Sequence, residues 1–277
     1  MPSRQHSSGH TSGDRSPAVV ITATDLVLHR GGHKAVEAST FSIPAGAITA
    51  IIGPNGSGKS TLLHAMAGLL EPTSGTISIL GHAPTTRSSR VSYVLQHTAI
   101  PVGTPITVRE TVGMGRYPRL GAFRRRNAED RRRVREAMEL LDIVNLGRRH
   151  LGELSGGQRQ RVYVAQGVAQ DHDVLLLDEP LTGLDLRSAK TIDSIIHSEP
   201  EHGCSVILTT HDLEEARAAD HVLLMAGKVQ ASGRPEDVLT SRNLTVAYGL
   251  GALHDRDEAA LLFPTEHHDH DFPGGRA

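Results

Sequence analysis

The sequence has a single cysteine among its 277 residues, which excludes an internal disulfide framework. No apolar run approaches the roughly 18–20 residues that a membrane-spanning helix needs, so any membrane role requires a separate partner chain. Charge of one sign is also missing. The 29 Lys+Arg nearly balance 31 Asp+Glu, a formal net charge of −2, which leaves no footprint of a dedicated nucleic-acid binder. The first residues, MPSRQHSSGHTSGDRSP, lack the apolar stretch of a signal peptide. A cytosolic protein is therefore expected. There is no internal repeat and no long heptad insertion.

Residues 1–18 are Ser/Gly/His-rich and are expected to be disordered, because they offer no apolar surface to offset ordering entropy. Residues 19–250 alternate between strand and helix periods. The run AITAIIG ends at a glycine turn, and STLLHAMAGLL follows with Leu62, Leu63, Met66, Leu69 and Leu70 on one helical face. VLLLDEP and CSVILTTHD are short apolar runs ending in polar residues, the pattern of buried parallel strands whose C-terminal ends carry chemistry. Cys204 opens the second of these and reads as a small core residue. From about 97 to 165 the sequence turns helical and charged; EDRRRVREAMELL sets Val134, Ala137, Met138 and Leu141 at helical spacing. The chain ends in a His-rich, acidic stretch, 251–277.

GPNGSGKST, comprising Gly53, Pro54, Asn55, Gly56, Ser57, Gly58, Lys59, Ser60 and Thr61, stands between a strand and a helix and matches the Walker A pattern in full. Its glycines let consecutive N–H groups turn towards one anion, and the helix N-terminus adds positive potential. Lys59 is expected on the β- and γ-phosphates, Ser60 on Mg²⁺ and Thr61 near the α-phosphate. Asp178, ending VLLLD, fits the Walker B role on the same metal. Glu179, next in the chain, is the candidate general base. Gln96 is placed to hold Mg²⁺ and the attacking water through its amide, and His211 to hydrogen-bond the γ-phosphate. A second phosphate-binding feature appears downstream. In LSGGQ, Ser155 and Gln158 form an S-x-x-Q capping box, so a helix starts there with Gly156 and Gly157 in its first turn.

The order of these motifs identifies the family. P-loop, Gln96, LSGGQ, DEP, Leu184–Asp185 and His211 resemble, over about residues 19–250, the ATP-binding cassette (ABC) ATPases that drive ABC transporters. The resemblance implies an α/β P-loop NTPase (RecA-like) core, an antiparallel β subdomain and an inserted helical signature subdomain. It also implies ATP and Mg²⁺ as ligands, with Asp185 in the D-loop near the nucleotide. Two cassettes would pack head-to-tail as a homodimer, LSGGQ of one closing over ATP on the other. The family's usual adenine-stacking aromatic is missing; its place falls on Arg30, beside His29.

TPITVRETVGMGRYPRLGAFRRR resembles the region in importer cassettes that contacts the permease. The run RRRNAEDRRRVR reads either as a solvated helix face or as a basic patch near lipid headgroups or an acidic permease loop. LDEPLTGLD and the tail, with His267, His268 and His270 as potential zinc ligands among carboxylates, favour the zinc/manganese importer branch over the iron-siderophore or cobalamin branch. A peripheral subunit on the cytoplasmic membrane face is expected, with permease subunits, indirectly a substrate-binding protein and no nucleic acid as partners. Soluble cassette proteins of translation usually carry two cassettes, and those of DNA repair need long coiled coils. Neither feature is present. A metal-buffering protein would have no need of the complete ATPase set.

Overall fold

The computed structural model describes residues 18–84, 89–96, 104–120 and 126–249. The expectations for the tails, including His267, His268 and His270, lie outside the described residues. Two sheets form. In the first, β1 (Val19–Arg30), β2 (His33–Pro44) and β4 (Ser74–Ile79) pair antiparallel in the order β2-β1-β4. The second contains β3 (Ile48–Ile52), β5 (Val91–Val94), β6 (Val174–Asp178), β7 (Ser205–Thr210), β8 (His221–Met225) and β9 (Val229–Gly233). Its order is β5-β6-β7-β3-β8-β9, parallel except for the β8–β9 hairpin.

Residue alternation along the parallel strands feeds two apolar layers. Ile51, Leu176, Ile207 and Leu223 face helix α1 (Lys59–Met66) and the antiparallel sheet. Their neighbours Ile52, Leu177, Leu208 and Leu224 face the opposite layer of helices. Burial on both faces is what makes these strands read as continuous apolar runs. Between β5 and β6 the chain makes α2 (Val108–Met114), α3 (Tyr117–Leu120), α4 (Ala128–Leu140) and α5 (Gly156–Val168). After β6 comes α6 (Leu186–Ser198). No helix among the described residues is long and apolar enough to cross a membrane.

One helix is shorter than its apolar spacing predicts. α1 stops at Met66, Ala67 bonds back to Leu63 O, Gly68 turns left-handed at φ 71°, and Leu69 is left 55% exposed. The glycine C-terminal signal outweighs the apolar period. In α4, by contrast, Val134, Ala137, Met138 and Leu141 are all buried as expected. Its arginines favour the solvated face over a basic patch: Arg132 pairs with Glu129 and Glu136 at 2.5 Å each, and Arg133 reaches Glu129 and Asp171.

Arg116 ties this helical region to the core. It is fully buried, with Nε donating to Asp130 at 3.1 Å, Nη1 to the Ala169 carbonyl at 2.7 Å and Nη2 to Asp171 at 3.0 Å. Asp130, itself 1% exposed, also closes the α4 capping box with Asn127. Arg116→Ala strands that carboxylate without its cation. A loss of about 3–5 kcal/mol in urea-unfolding stability is expected; a change under about 1 kcal/mol would mean that the buried charge is compensated elsewhere.

Candidate functional site

Four neighbouring strands deliver the site from their C-terminal ends, the place where open parallel sheets bind ligands. β3 runs into Gly53, β5 into Gln96, β6 into Asp178 and Glu179, and β7 into His211. The turn after β3 needs its glycines. A Cβ on Gly53 would lie 2.1 Å from Met225 O, and one on Gly58, at φ 100°, 2.5 Å from Ala35 O. Gly56, Ser57 and Thr61 complete the turn and the first helical residues, with Pro54 O accepting from Ser57 N at 3.2 Å and Asn55 lying between them. Lys59 is 6% exposed, and its Nζ donates to Gly53 O at 2.8 Å and Pro54 O at 3.2 Å. Burial lowers its pKa, with Glu179 and Asp178 acting in the opposite direction. The ammonium is therefore held over the loop by carbonyls that a phosphate can outcompete.

Asp178 is the hub of the acidic side. Its Oδ1 accepts from Ser60 Oγ at 3.1 Å and from Thr209 Oγ1 at 2.6 Å. Glu179 sits in a left-handed backbone conformation, φ 46°, stabilised by its N–H donating to Thr209 Oγ1 at 2.9 Å. A non-glycine residue held there is strained, and such strain persists where surrounding contacts over-determine it. Glu179 Oε2 accepts from Gln96 Nε2 at 2.5 Å and lies 3.9 Å from His211 Nδ1. Gln96 and His211, distant in sequence, thus converge on one Glu179 carboxylate oxygen, next in the chain to the Ser60–Asp178 pair.

The signature begins as its capping box requires. Gln158 N donates to Ser155 Oγ at 3.3 Å and Ser155 N to Gln158 Oε1 at 3.1 Å. Gly156 and Gly157 occupy the first turn, where N–H groups have no intrahelical acceptor. A Cβ on Gly157 would meet Asp185 Oδ2 at 2.5 Å, while Gly156 faces open space. Asp185 itself N-caps α6, accepting from Ser188 N and Oγ at 2.9 Å each, so a side chain at position 157 would collide with that cap. Gly156, Gln96, Glu179, Gly183 and Leu184 share a cleft of about 250 Å³, and no residue of the 53–61 loop lines it.

Arg30 ends β1 at the Gly31–Gly32 turn and is exposed. Its charge helps hold the His64 imidazole below its ordinary range, where burial is the main cause. His29 is engaged with Thr73 Oγ1 at 3.0 Å. Two supporting residues were not legible in sequence. Thr209 positions both acids, and its only signal is its place in LTTH. Tyr93, whose phenol burial and Asp178 push up, meets His64 edge-on at 5.7 Å between ring centroids.

With this geometry in hand, similarity to known proteins can be read. A family model for ABC transporters matches residues 36–182. The manganese transport system ATP-binding protein MntA of Synechocystis is 35% identical over 226 residues, 80% of this chain and 87% of that one. The zinc transport system ATP-binding protein TroB of Treponema pallidum is 39% identical over 208 residues, 75% and 78% of the two chains. The dimeric, post-hydrolysis structure of the ATP-binding cassette MJ0796 bound to ADP and Pi superposes with a TM-score of 0.68 at 25% identity, over 78% of this chain and 98% of that one. The chain belongs to the ABC transporter family, as an ATP-binding, ATP-hydrolysing subunit.

Proposed function

We propose that this subunit powers an importer for a divalent transition metal, manganese or zinc, from the cytoplasmic face of the membrane. The convergence of Gln96, Glu179 and His211 beside Ser60 and Asp178 carries the hydrolytic part. The metal cargo is supported by the two curated relatives, whose names assign manganese and zinc transport to them.

The 53–61 loop and Lys59 bind the triphosphate of ATP, and Glu179 accepts the proton of the attacking water. Gln96 orients that water, and His211 donates to the γ-phosphate. Ser60 Oγ and Asp178 Oδ1, two hard oxygen donors 3.1 Å apart, fit Mg²⁺. When bound by these two oxygens, Mg²⁺ would supply neutralisation of phosphate charge. Adenine is expected to lie near Arg30 without the usual ring. The N–H groups of Gly156 and Gly157 serve ATP on a second copy, which makes the working unit a head-to-tail homodimer. A groove of about 480 Å³, lined by Leu95, Ile106, Met114, Tyr163 and Gln166 next to Gln96, is the proposed seat of the permease.

The test is transport. The chain is purified with the membrane protein that copurifies with it, and the complex is reconstituted in vesicles with a metal-binding protein outside. ATP-dependent uptake of radioactive manganese or zinc is expected, and it is lost in Lys59→Ala. Uptake of an organic iron chelate but not the bare ions would overturn the cargo. Absence of any copurifying membrane protein would overturn the transport role.

A further inference from the structure

Cys204 is buried, 4% exposed, but it is more than core filling. Its Sγ, a ring nitrogen of His172 and a carboxylate oxygen of Glu199 all lie within 4.8 Å of one another. His172 comes from the α5–β6 connection, Glu199 caps the C-terminus of α6, and Cys204 immediately precedes β7. Two neighbouring connections, α5–β6 and α6–β7, thus bring a nitrogen, an oxygen and a sulfur donor to one point, remote from the strand ends that carry the nucleotide machinery.

The imidazole is already oriented as a metal ligand. Its Nδ1 lies 2.8 Å from the Gln170 carbonyl, which can only accept, so Nδ1 carries the hydrogen. Metal-bound histidines typically donate their second nitrogen to a carbonyl in this way, fixing ring and tautomer. Nε2, on a side chain 5% exposed, stands 3.2 Å from Glu199 Oε2 at ion-pair distance, yet it has no directed hydrogen-bond partner. In the neutral ring Nε2 is a lone pair, and a cation bound there would take the place of the contact with the Glu199 carboxylate.

We infer that His172, Glu199 and Cys204 form a site for a thiophilic divalent cation, Zn²⁺ in preference to Mg²⁺ or Mn²⁺. Tetrahedral zinc with bonds of about 2.0–2.3 Å places its ligand atoms roughly 3.3–3.7 Å apart, so closing on the ion takes a shift of about 1 Å or less. Thiolate and imidazole select zinc and cobalt over the hard ions that accompany ATP. Glu199, 15% exposed, gives the entry side and leaves a fourth position for water. The site would join the end of the signature helix to the start of the strand that leads to His211.

Cobalt(II) tests this directly, because Cys204 is the only thiol in the chain. The many histidines elsewhere cannot produce a thiolate-to-cobalt charge-transfer band. Titrating the full-length, reduced protein with Co²⁺ is expected to raise that ultraviolet band and tetrahedral visible bands to saturation at one equivalent, and Zn²⁺ should bleach both. Cys204→Ser should abolish the charge-transfer band, and the isosteric Glu199→Gln should weaken Co²⁺ binding at least about tenfold. Zn²⁺ should also raise the Tm of the wild type but not of Cys204→Ser. Absence of a charge-transfer band in the folded wild-type protein at millimolar Co²⁺ would overturn the site. So would a band unaltered by both Glu199→Gln and His172→Gln, since the thiol would then bind without the triad.

Discussion

Replacing Glu179 by glutamine is expected to lower ATP turnover by at least about 100-fold while leaving ATP binding intact, because a positioned base contributes about 10²–10⁴ in rate. Glutamine keeps the size of the side chain and can still meet Gln96, whose Nε2 lies 2.5 Å from Glu179 Oε2. The backbone at φ 46° is supported from Thr209 through the main-chain N–H, so the substitution does not disturb that support. What changes is the ability to take a proton. Ser60, Asp178 and Lys59 remain in place, so nucleotide should accumulate unhydrolysed and hold two copies together. Single-turnover hydrolysis and size-exclusion chromatography with ATP measure the two effects. Turnover within a few-fold of wild type would remove Glu179 from the role of base and shift attention to His211.

The local geometry of the candidate phosphate-binding segments was legible because its determinants are local. Gly53 to Thr61 form one turn, Ser155 and Gln158 one capping box, and Asp178–Glu179 one strand end. Short spacing fixes what such segments can do, whatever surrounds them. The same logic misplaced the end of α1, where Gly68 terminated a helix that the leucine period alone would have extended through Leu70. Contacts between segments far apart in sequence were not legible. Thr209 supports residues 30 positions away, Arg116 bonds across 55, and His172 meets Cys204 only because β6 and β7 are neighbours. Cys204 read as core filling because His172 arrives through the sheet; Glu199, five residues upstream, is folded back onto it by the α6–β7 connection, where Cys204 N donates to Glu199 O at 3.2 Å.

A second large effect concerns the surface at which two copies meet. Ser155→Arg is expected to reduce ATP turnover by at least about tenfold without weakening ATP binding to the isolated chain, because no residue of the 53–61 loop lines the cleft that holds Gly156. The arginine would project beside Gly156, whose surroundings are open in the single chain, into space that a partner's phosphate must enter. Losing the serine cap alone costs the helix about 1 kcal/mol, so Ser155→Ala separates a weakened helix start from an obstructed interface. Lys59→Ala fails for a different reason, at its own phosphate loop. When the two inactive variants are mixed, each heterodimer pairs an intact phosphate loop on the Ser155→Arg chain with an intact signature on the Lys59→Ala chain. Half the dimers in an equal statistical mixture are heterodimers with one good site of two, so about a quarter of wild-type turnover should return if the sites fire independently. A purely intrachain site predicts none. Zero recovered activity in a mixture whose heterodimers are demonstrated by differential tagging would reject the head-to-tail arrangement, and with it the assignment of Gly156 and Gly157 to a partner's phosphate.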